Sequence, residues 1–151
     1  MVSTNNVKAL CIQDFKAGDV LDFGSICLTE QEIIDFALAN DPLDFHIDRD
    51  AARKSIFGGI IASGPHVMNV IHKREWIPRF KHTVVCGLGI KDWKFLKPVF
   101  PGKVIKCRIR LLSLLPNPEK AVVAVNWYYE FLDGKDEQVQ CLEMAVLHKI
   151  S

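Results

Sequence analysis

Asp41 and His46 lie five residues apart in NDPLDFHID, a polar segment at residues 40–48 that also contains Pro42. A carboxylate and an imidazole that converge on one water molecule form a general acid and base pair that works near neutral pH. Because Pro42 disfavours a helical Asp41, we expect both side chains to come from a non-helical segment that can aim them at one point. A purely structural role, in which the segment only ends a helix, stays open because the spacing alone does not exclude it.

A second candidate group lies in FGGIIASGPH, residues 57–66. A glycine at the start of a helix leaves backbone N–H groups unpaired and partly positive, which suits an oxyanion. Pro65 has no N–H, so the available donors are chiefly those of Gly64 and His66. We place Gly64 in the catalytic group, with close packing of its backbone against a sheet as the alternative. Three further residues of this stretch are expected to bind substrate: Ser63, Gly59 and His66.

The elements that hold these residues can be predicted from periodicity. A strand is indicated around Val20 to Cys27, and Thr29 and Glu32 then have the T-x-x-E spacing of a capping box. The helix that follows should stop at Asn40, since Pro42 cannot follow a helical residue easily. Its apolar positions recur at helical intervals: Ile33, Ile34, Ala37 and Leu38.

Two more helices and a run of strands complete the pattern. Asp48 can cap a short helix that ends before Phe57, and Ser63 or Gly64 can cap a longer one with Pro65 in its first turn. From residue 82 onward the pattern changes to four strands separated by FPG, PNPE and DGKDE. Short connections indicate an antiparallel sheet, and the helix after Gly64 is the candidate to cover its apolar face. The prediction is an α+β fold.

Composition narrows the class of protein. At 151 residues, with 49% hydrophobic and 25% charged residues, the chain suits one globular domain over residues 1–151. A net charge of +1 without a basic block argues against nucleic acid as a partner. The five cysteines have no metal-binding or disulfide spacing, so we expect reduced, mostly buried thiols and no metal. No apolar run approaches the roughly 18 residues of a membrane span, which favours a cytoplasmic location.

Several motifs together carry a family resemblance. Residues 28–64, which contain D-P-L-D-F-H and F-G-G-I-I-A-S-G, and the later K-P-V-x-x-G from Lys97 resemble the MaoC-like acyl dehydratases and the (R)-specific enoyl-CoA hydratases. The similarity extends over residues 14–149. It implies a hot-dog fold, in which a long central helix is wrapped by a curled antiparallel sheet, and a homodimer.

The resemblance also implies an activity, the reversible syn addition of water across the double bond of a 2-enoyl thioester. The partner would be an acyl-CoA or acyl-carrier thioester, and no metal or redox cofactor is needed. By the family pattern, Asp41 and His46 would hold the water while the Gly64 amide binds the thioester carbonyl oxygen. Acyl-chain length, carrier and direction stay open.

The chain departs from the commoner D-x-N-P-x-H form of the hydratases at two positions. Leu43 replaces the asparagine, and Asp44 lies where the proline would be, as in a D-P-x-x-F-H branch. The additional carboxylate would repel an acidic acyl group, so the substrate can differ. His72 lies near where some relatives place a supporting hydroxyl, and an outer polar position is an equal alternative.

Two other functions compete with hydration. A hot-dog thioesterase would direct a water at the carbonyl carbon, and a non-catalytic acyl-thioester-binding subunit would keep the fold without turnover. His46 beside Asp41 favours hydration over both. The aromatic residues Trp93, Phe95 and Trp127 are interpreted as packing residues. The basic residues Lys106, Arg108 and Arg110 form either a solvated face or a basic rim that contacts the phosphates of coenzyme A.

Overall fold

Alternating apolar and polar residues build one five-stranded sheet. The computed structural model describes residues 7–150. The strands follow the predicted segments: β1 (Val20–Cys27), β2 (Val84–Phe95), β3 (Val104–Asn117), β4 (Val122–Leu132) and β5 (Gln138–Lys149). Their order is β1-β3-β4-β5-β2 and every neighbouring pair is antiparallel, so β1 and β2 form the edges.

Strand β3 illustrates how the sheet separates core from solvent. Ile105, Cys107 and Ile109 are buried, whereas the intervening basic residues are exposed. Successive side chains of a strand point to opposite faces, so this period of two directs one face inward. The three basic residues Lys106, Arg108 and Arg110 are exposed, which agrees with a solvated face and equally with a basic rim.

Three short helices lie between β1 and the longer helical segment: α1 (Glu30–Asn40), α2 (Asp44–Ile47) and α3 (Arg49–Lys54). The capping box at Thr29 and the stop at Asn40 are confirmed, as is Asp48, whose carboxylate accepts from two amides at the start of α3. One detail was predicted wrongly: His46 lies on the helical turn α2 instead of a non-helical segment. Leu38, one of the apolar positions of α1, is 59% exposed.

The longer helical segment, residues 64–80, is called the central helix below. It consists of α4 (Gly64–Ile71), a π-helical turn (His72–Trp76) and α5 (Ile77–Phe80). The start at Gly64 with Pro65 in the first turn agrees with the sequence prediction. The π-helical turn precedes Pro78, whose ring would clash with the carbonyl four residues earlier in a regular α-helix.

The central helix packs against the inner face of the sheet. Met68, Ile71 and Phe80 belong to the same buried cluster as Trp127 and Tyr129 of β4. Phe80 and Trp127 lie with ring centroids 4.7 Å apart, which is favourable aromatic contact. This packing fixes the helix relative to the sheet, and therefore fixes the point at which its first residue lies.

The cysteines are free thiols, but they are not mostly buried as predicted. Cys107 and Cys141 are buried, whereas Cys27 and Cys86 are exposed. The two exposed residues lie on the edge strands β1 and β2, which have a sheet neighbour on one side only. None of the helices within residues 7–150 has the length and apolar character to cross a membrane.

Candidate active site

Asp41 occupies a backbone conformation held from both sides. Its N–H donates to the Ala37 carbonyl at 2.8 Å, which closes the last turn of α1. Its own carbonyl accepts from the Leu43 N–H at 2.8 Å across Pro42. Pro42 disfavours a helical conformation for the residue before it, so the chain turns sharply at Asp41. The Asp41 side chain therefore does not lie on a face of α1.

His46 is held by its ring as well as by its helical turn. Nδ1 lies 2.6 Å from the Ile61 carbonyl oxygen, and the Ile61 N–H donates in turn to the Phe45 carbonyl at 3.3 Å. A carbonyl can only accept, so Nδ1 carries a proton and donates. In the neutral imidazole this tautomer leaves a lone pair on Nε2. His46 is buried, with its Nε2 toward Asp41.

The two side chains converge on one point. His46 Nε2 lies 3.4 Å from Asp41 Oδ2, and the Ser63 hydroxyl donates to the same Oδ2 at 2.7 Å. Ser63 is fully buried, whereas the Asp41 side chain is 32% exposed. The carboxylate is therefore anchored from the protein side and accessible from the other.

Gly64 begins the central helix beside this pair. As the first helical residue it has no intrahelical acceptor for its N–H, and no turn or loop carbonyl within residues 7–150 accepts that N–H. Ser63 precedes it as the N-cap residue but uses its hydroxyl on Asp41 and not on the helix. The helix dipole adds a partial positive charge at this end.

One cavity of about 410 Å³ joins these groups. Asp41, His46 and Gly64 line it together with mostly apolar side chains, among them Phe57, Val67, Phe95 and Val99. An apolar cleft with a few convergent polar groups is the usual form of a small-molecule site. No group of three or more metal-ligating side chains occurs within the described part of the chain.

None of the three predicted substrate-binding residues, Ser63, Gly59 and His66, lines this cavity. Ser63 is fully buried, and its hydroxyl donates to Asp41. Gly59 lies in the turn after α3 and does not line the cavity. The His66 ring is buried and stacks on Phe36 at 4.3 Å, on the side of α1, and burial lowers its pKa. Substrate contact by Gly59 and His66 stays a prediction.

Gln140 and Phe95 line the cavity but were not among the predicted site residues. Gln140 of β5 is 2% exposed and donates from Nε2 to the Gly64 carbonyl at 3.1 Å. The signal was a glutamine between the apolar residues Val139 and Cys141 of a predicted strand. Phe95 was treated as packing, yet its ring lies against the Gly64 α-carbon while 58% of the residue is exposed.

His72 lies away from this cavity and its role differs from both expectations. Its Nδ1 is 3.0 Å from the Tyr129 hydroxyl, and its ring stacks on Trp76. It lines a separate apolar groove of about 370 Å³ next to β2. Burial lowers the pKa of His72, so its imidazole is neutral at pH 7.

A family model described as a MaoC like domain matches residues 14–125. The chain belongs to the MaoC-like domain family. The resemblance expected from the motifs around Asp41 and Gly64 is confirmed. The uncharacterized protein YdeM of Bacillus subtilis (strain 168) is 29% identical to this MaoC-like chain over 107 residues, which are 70% of this chain and 75% of YdeM.

Solved structures extend the similarity to the whole fold. The MaoC-like dehydratase from Rhodospirillum rubrum has a TM-score of 0.82 and 26% identity, and the match covers 95% of this chain and 99% of that one. R-Hydratase PhaJ1 from Pseudomonas aeruginosa, in its unliganded form, has a TM-score of 0.75 and 21% identity, with 96% of this chain and 89% of that one covered. The predicted α+β hot-dog fold is confirmed.

Proposed function

We propose that this MaoC-like protein is a hydro-lyase that reversibly adds water across the 2,3 double bond of an enoyl thioester of the enoyl-CoA type. One observation carries the proposal. The Asp41 carboxylate and His46 Nε2 lie 3.4 Å apart beside the cavity that the free end of the central helix also lines. This reaction has two requirements: an acid–base pair of side chains that activates a water molecule, and a hydrogen-bond donor that stabilises an oxyanion.

The hydrogen-bond roles around the pair favour a bound water. The Ile61 carbonyl leaves Nε2 of neutral His46 as an acceptor, and the Asp41 carboxylate also only accepts. When His46 is neutral, the two acceptors 3.4 Å apart have no hydrogen between them, so a molecule that donates to both satisfies them together. A water molecule has two protons in a suitable geometry. Its oxygen lone pair then points into the cavity, toward a substrate.

The reaction can be written with all atoms balanced. The water oxygen bonds to C3 as one of its protons passes to the Asp41 and His46 pair, and the C2=C3 electrons move toward the thioester carbonyl oxygen. The pair then returns a proton to C2, which restores the carbonyl. Because the oxygen and the proton both come from the position of one water, they add to the same face. The reverse sequence eliminates water.

The helix end contributes where charge develops. The carbonyl oxygen gains negative charge in the enolate-like transition state, and the Gly64 N–H is the unpaired donor at the cavity wall. One preorganised donor of this kind contributes about 2.7–4 kcal/mol to transition-state stabilisation. The dipole of residues 64–80 acts in the same direction.

Membership of the MaoC-like family supports a hydratase or dehydratase, and two of the similar solved structures are named as a dehydratase and an R-hydratase. The carrier in this proposal is coenzyme A or an acyl carrier protein. We further propose a homodimer. A cytoplasmic location agrees with the unpaired cysteines, which a reducing compartment keeps as thiols.

The test uses purified protein and crotonyl-CoA. Loss of the absorbance of the conjugated thioester without release of free thiol supports the proposal. Free thiol formed at the rate of substrate loss would instead identify a thioesterase. If neither signal changes with crotonyl-CoA or with a panel of longer enoyl thioesters, while equilibrium dialysis shows that they bind, the protein is an acyl-thioester-binding subunit and the proposal is wrong.

A further inference from the structure

Gln140 is a buried side-chain amide in β5, with buried apolar residues next to it along the strand. Val139, Cys141 and Leu142 around it are buried, and Gln140 is itself 2% exposed. Burial of a side-chain amide costs free energy unless the amide finds a hydrogen-bond partner. Its partner is the Gly64 carbonyl, 76 residues earlier in the chain, at 3.1 Å from Nε2.

A second side chain contacts Gly64 from the neighbouring strand. Phe95 of β2 is the register partner of Gln140 in β5. A Cβ atom at position 64 would overlap the Phe95 ring, with Cζ at 2.8 Å. Gln140 and Phe95, which are paired across β5 and β2, therefore both contact Gly64. Gln140 binds its carbonyl, and Phe95 packs against its α-carbon.

This double contact bears on the proposed oxyanion donor. Glycine is the residue with the widest choice of backbone conformation, so the direction of the Gly64 N–H depends on what surrounds it. Pro65 restricts the backbone conformation of the residue before it, which is Gly64. Gln140 holds the Gly64 carbonyl, which lies on the opposite side of the α-carbon from the N–H. A displacement of about 1 Å in such a group can cost about 100-fold in rate.

We propose that Gln140 is a positioning residue for the reaction, which holds the first residue of the central helix so that the Gly64 N–H faces the thioester carbonyl oxygen. The inference rests on the proposed function, and it adds a residue from β5 to the proposed catalytic group of Asp41, His46 and Gly64. Gln140 acts through Gly64 and needs no contact with the reacting atoms.

A matched control lies two residues away on the same strand. Gln138 uses its Nε2 on the Tyr128 hydroxyl at 3.1 Å and on Glu130 at 2.9 Å, and it does not line the cavity. Gln140→Met and Gln138→Met therefore remove the same group from the same strand. Only the first removes a hydrogen bond to the central helix.

Steady-state kinetics with crotonyl-CoA separates positioning from general stability. We expect Gln140→Met to lower kcat about 10-fold to 100-fold while KM changes less than about twofold, because a misplaced donor mainly weakens transition-state binding. Gln138→Met should keep both parameters. A kcat in Gln140→Met equal to that of Gln138→Met would overturn the positioning role.

A pH profile of Gln140→Glu adds a readout that packing alone does not change. The protonated carboxyl group can still donate to the Gly64 carbonyl, whereas the ionised one faces it as a second acceptor. Burial raises the pKa of a carboxyl group, so the change falls within an accessible pH range. The ratio of kcat in Gln140→Glu to kcat in the unaltered protein should rise as pH falls. A ratio independent of pH would contradict the proposal.

Amide hydrogen exchange at residues 66–68 tests the anchor without turnover. Exchange there should be about tenfold faster in Gln140→Met than in Gln138→Met, since the first turn of α4 loses its tie to β5. Equal exchange would overturn the inference, whatever the activity. Faster exchange in a protein that hydrates no enoyl thioester would overturn the positioning role and the proposed function, and would leave Gln140 as a structural anchor.

Discussion

The Ser63 hydroxyl donates to Asp41 Oδ2 at 2.7 Å, and the same oxygen is the one nearest to His46 Nε2. Ser63 immediately precedes Gly64, so the residue that orients the carboxylate is joined by one peptide bond to the proposed oxyanion donor. A shift of the helix start would move both groups together. The proposed water site and the proposed oxyanion site are therefore linked through two adjacent residues.

Ser63→Ala should therefore lower kcat about tenfold without unfolding the protein. A hydrogen bond to a charged group contributes about 1.5–3 kcal/mol, and its loss frees the carboxylate to rotate. Ser55→Ala is the control, since the Ser55 hydroxyl bonds only to backbone near α3. Hydratase rates of both variants with crotonyl-CoA check this. A Ser63→Ala rate equal to that of Ser55→Ala would contradict it.

Asp41→Asn and His46→Ala should each lower kcat by about 100-fold to 10,000-fold, the usual contribution of general acid and base catalysis. Because both residues hold one water, the double variant should lose little more than the worse single variant. Circular dichroism and the urea midpoint provide the folding control. If the kcat losses of the single variants multiply in the double variant, the two residues have independent roles. If kcat is unchanged in either single variant, the assignment of Asp41 and His46 as the catalytic pair is wrong.

Gly64→Ala should impair catalysis through Phe95. The added methyl group would overlap the Phe95 ring, so the ring must rotate, which changes the shape of the cavity. We expect kcat/KM to fall about tenfold. Phe95→Ala in the same chain removes the overlap and should restore part of the loss. Gly134→Ala, where a Cβ meets nothing within 4 Å, is the control. A double variant no better than Gly64→Ala would contradict this mechanism.

A homodimer should form through the exposed edge of the sheet. Val85, Leu88 and Ile90 of β2 are about half exposed, at 52%, 53% and 48%, on a strand with unpaired backbone groups along one side. Light scattering at micromolar concentration should give twice the chain mass of 17.1 kDa.

Leu88→Lys should shift the equilibrium between dimer and monomer toward the monomer, because dimerisation would then bury a charge at the β2 edge of the sheet. Leu115→Lys, at a 63% exposed position of β3, should not. A mass of one chain for the unaltered protein would disprove the dimer.

Stability should fall as pH decreases from about 6.5 toward 4 because of His148. This residue is buried, and desolvation, with a smaller effect of nearby His82, lowers its pKa from 6.5 to about 4. Between these values the unfolded chain binds a proton that the folded protein does not, so the free energy of unfolding rises with pH there. His148→Gln should reduce the proton uptake on unfolding by about one near pH 5.

Urea midpoints at pH 7.5, 6 and 5 measure this, and Thr83→Val provides a second variant because it removes the 2.8 Å contact to Nδ1 but keeps the histidine. Thr83→Val should retain the pH dependence. An unaltered protein whose midpoint does not change between pH 7.5 and 5 would contradict the prediction.

The sequence by itself determined the local features around the site. The capping box at Thr29, the stop before Pro42, the cap at Asp48 and the helix start at Gly64 each depend on neighbours within about four residues. The strands likewise follow from alternation along one segment. These interactions are short in range, so residue types and their spacing suffice to predict them.

Only the tertiary structure decided which atoms meet. Ser63 and Asp41 are 22 residues apart, His46 and Ile61 are 15 apart, and Gln140 reaches Gly64 across 76 residues. The stacking of the His66 ring on Phe36 of α1 is a further contact between residues that are distant in the sequence. Such contacts depend on how helix and sheet pack, since a local pattern specifies which face is apolar but not which partner lies opposite.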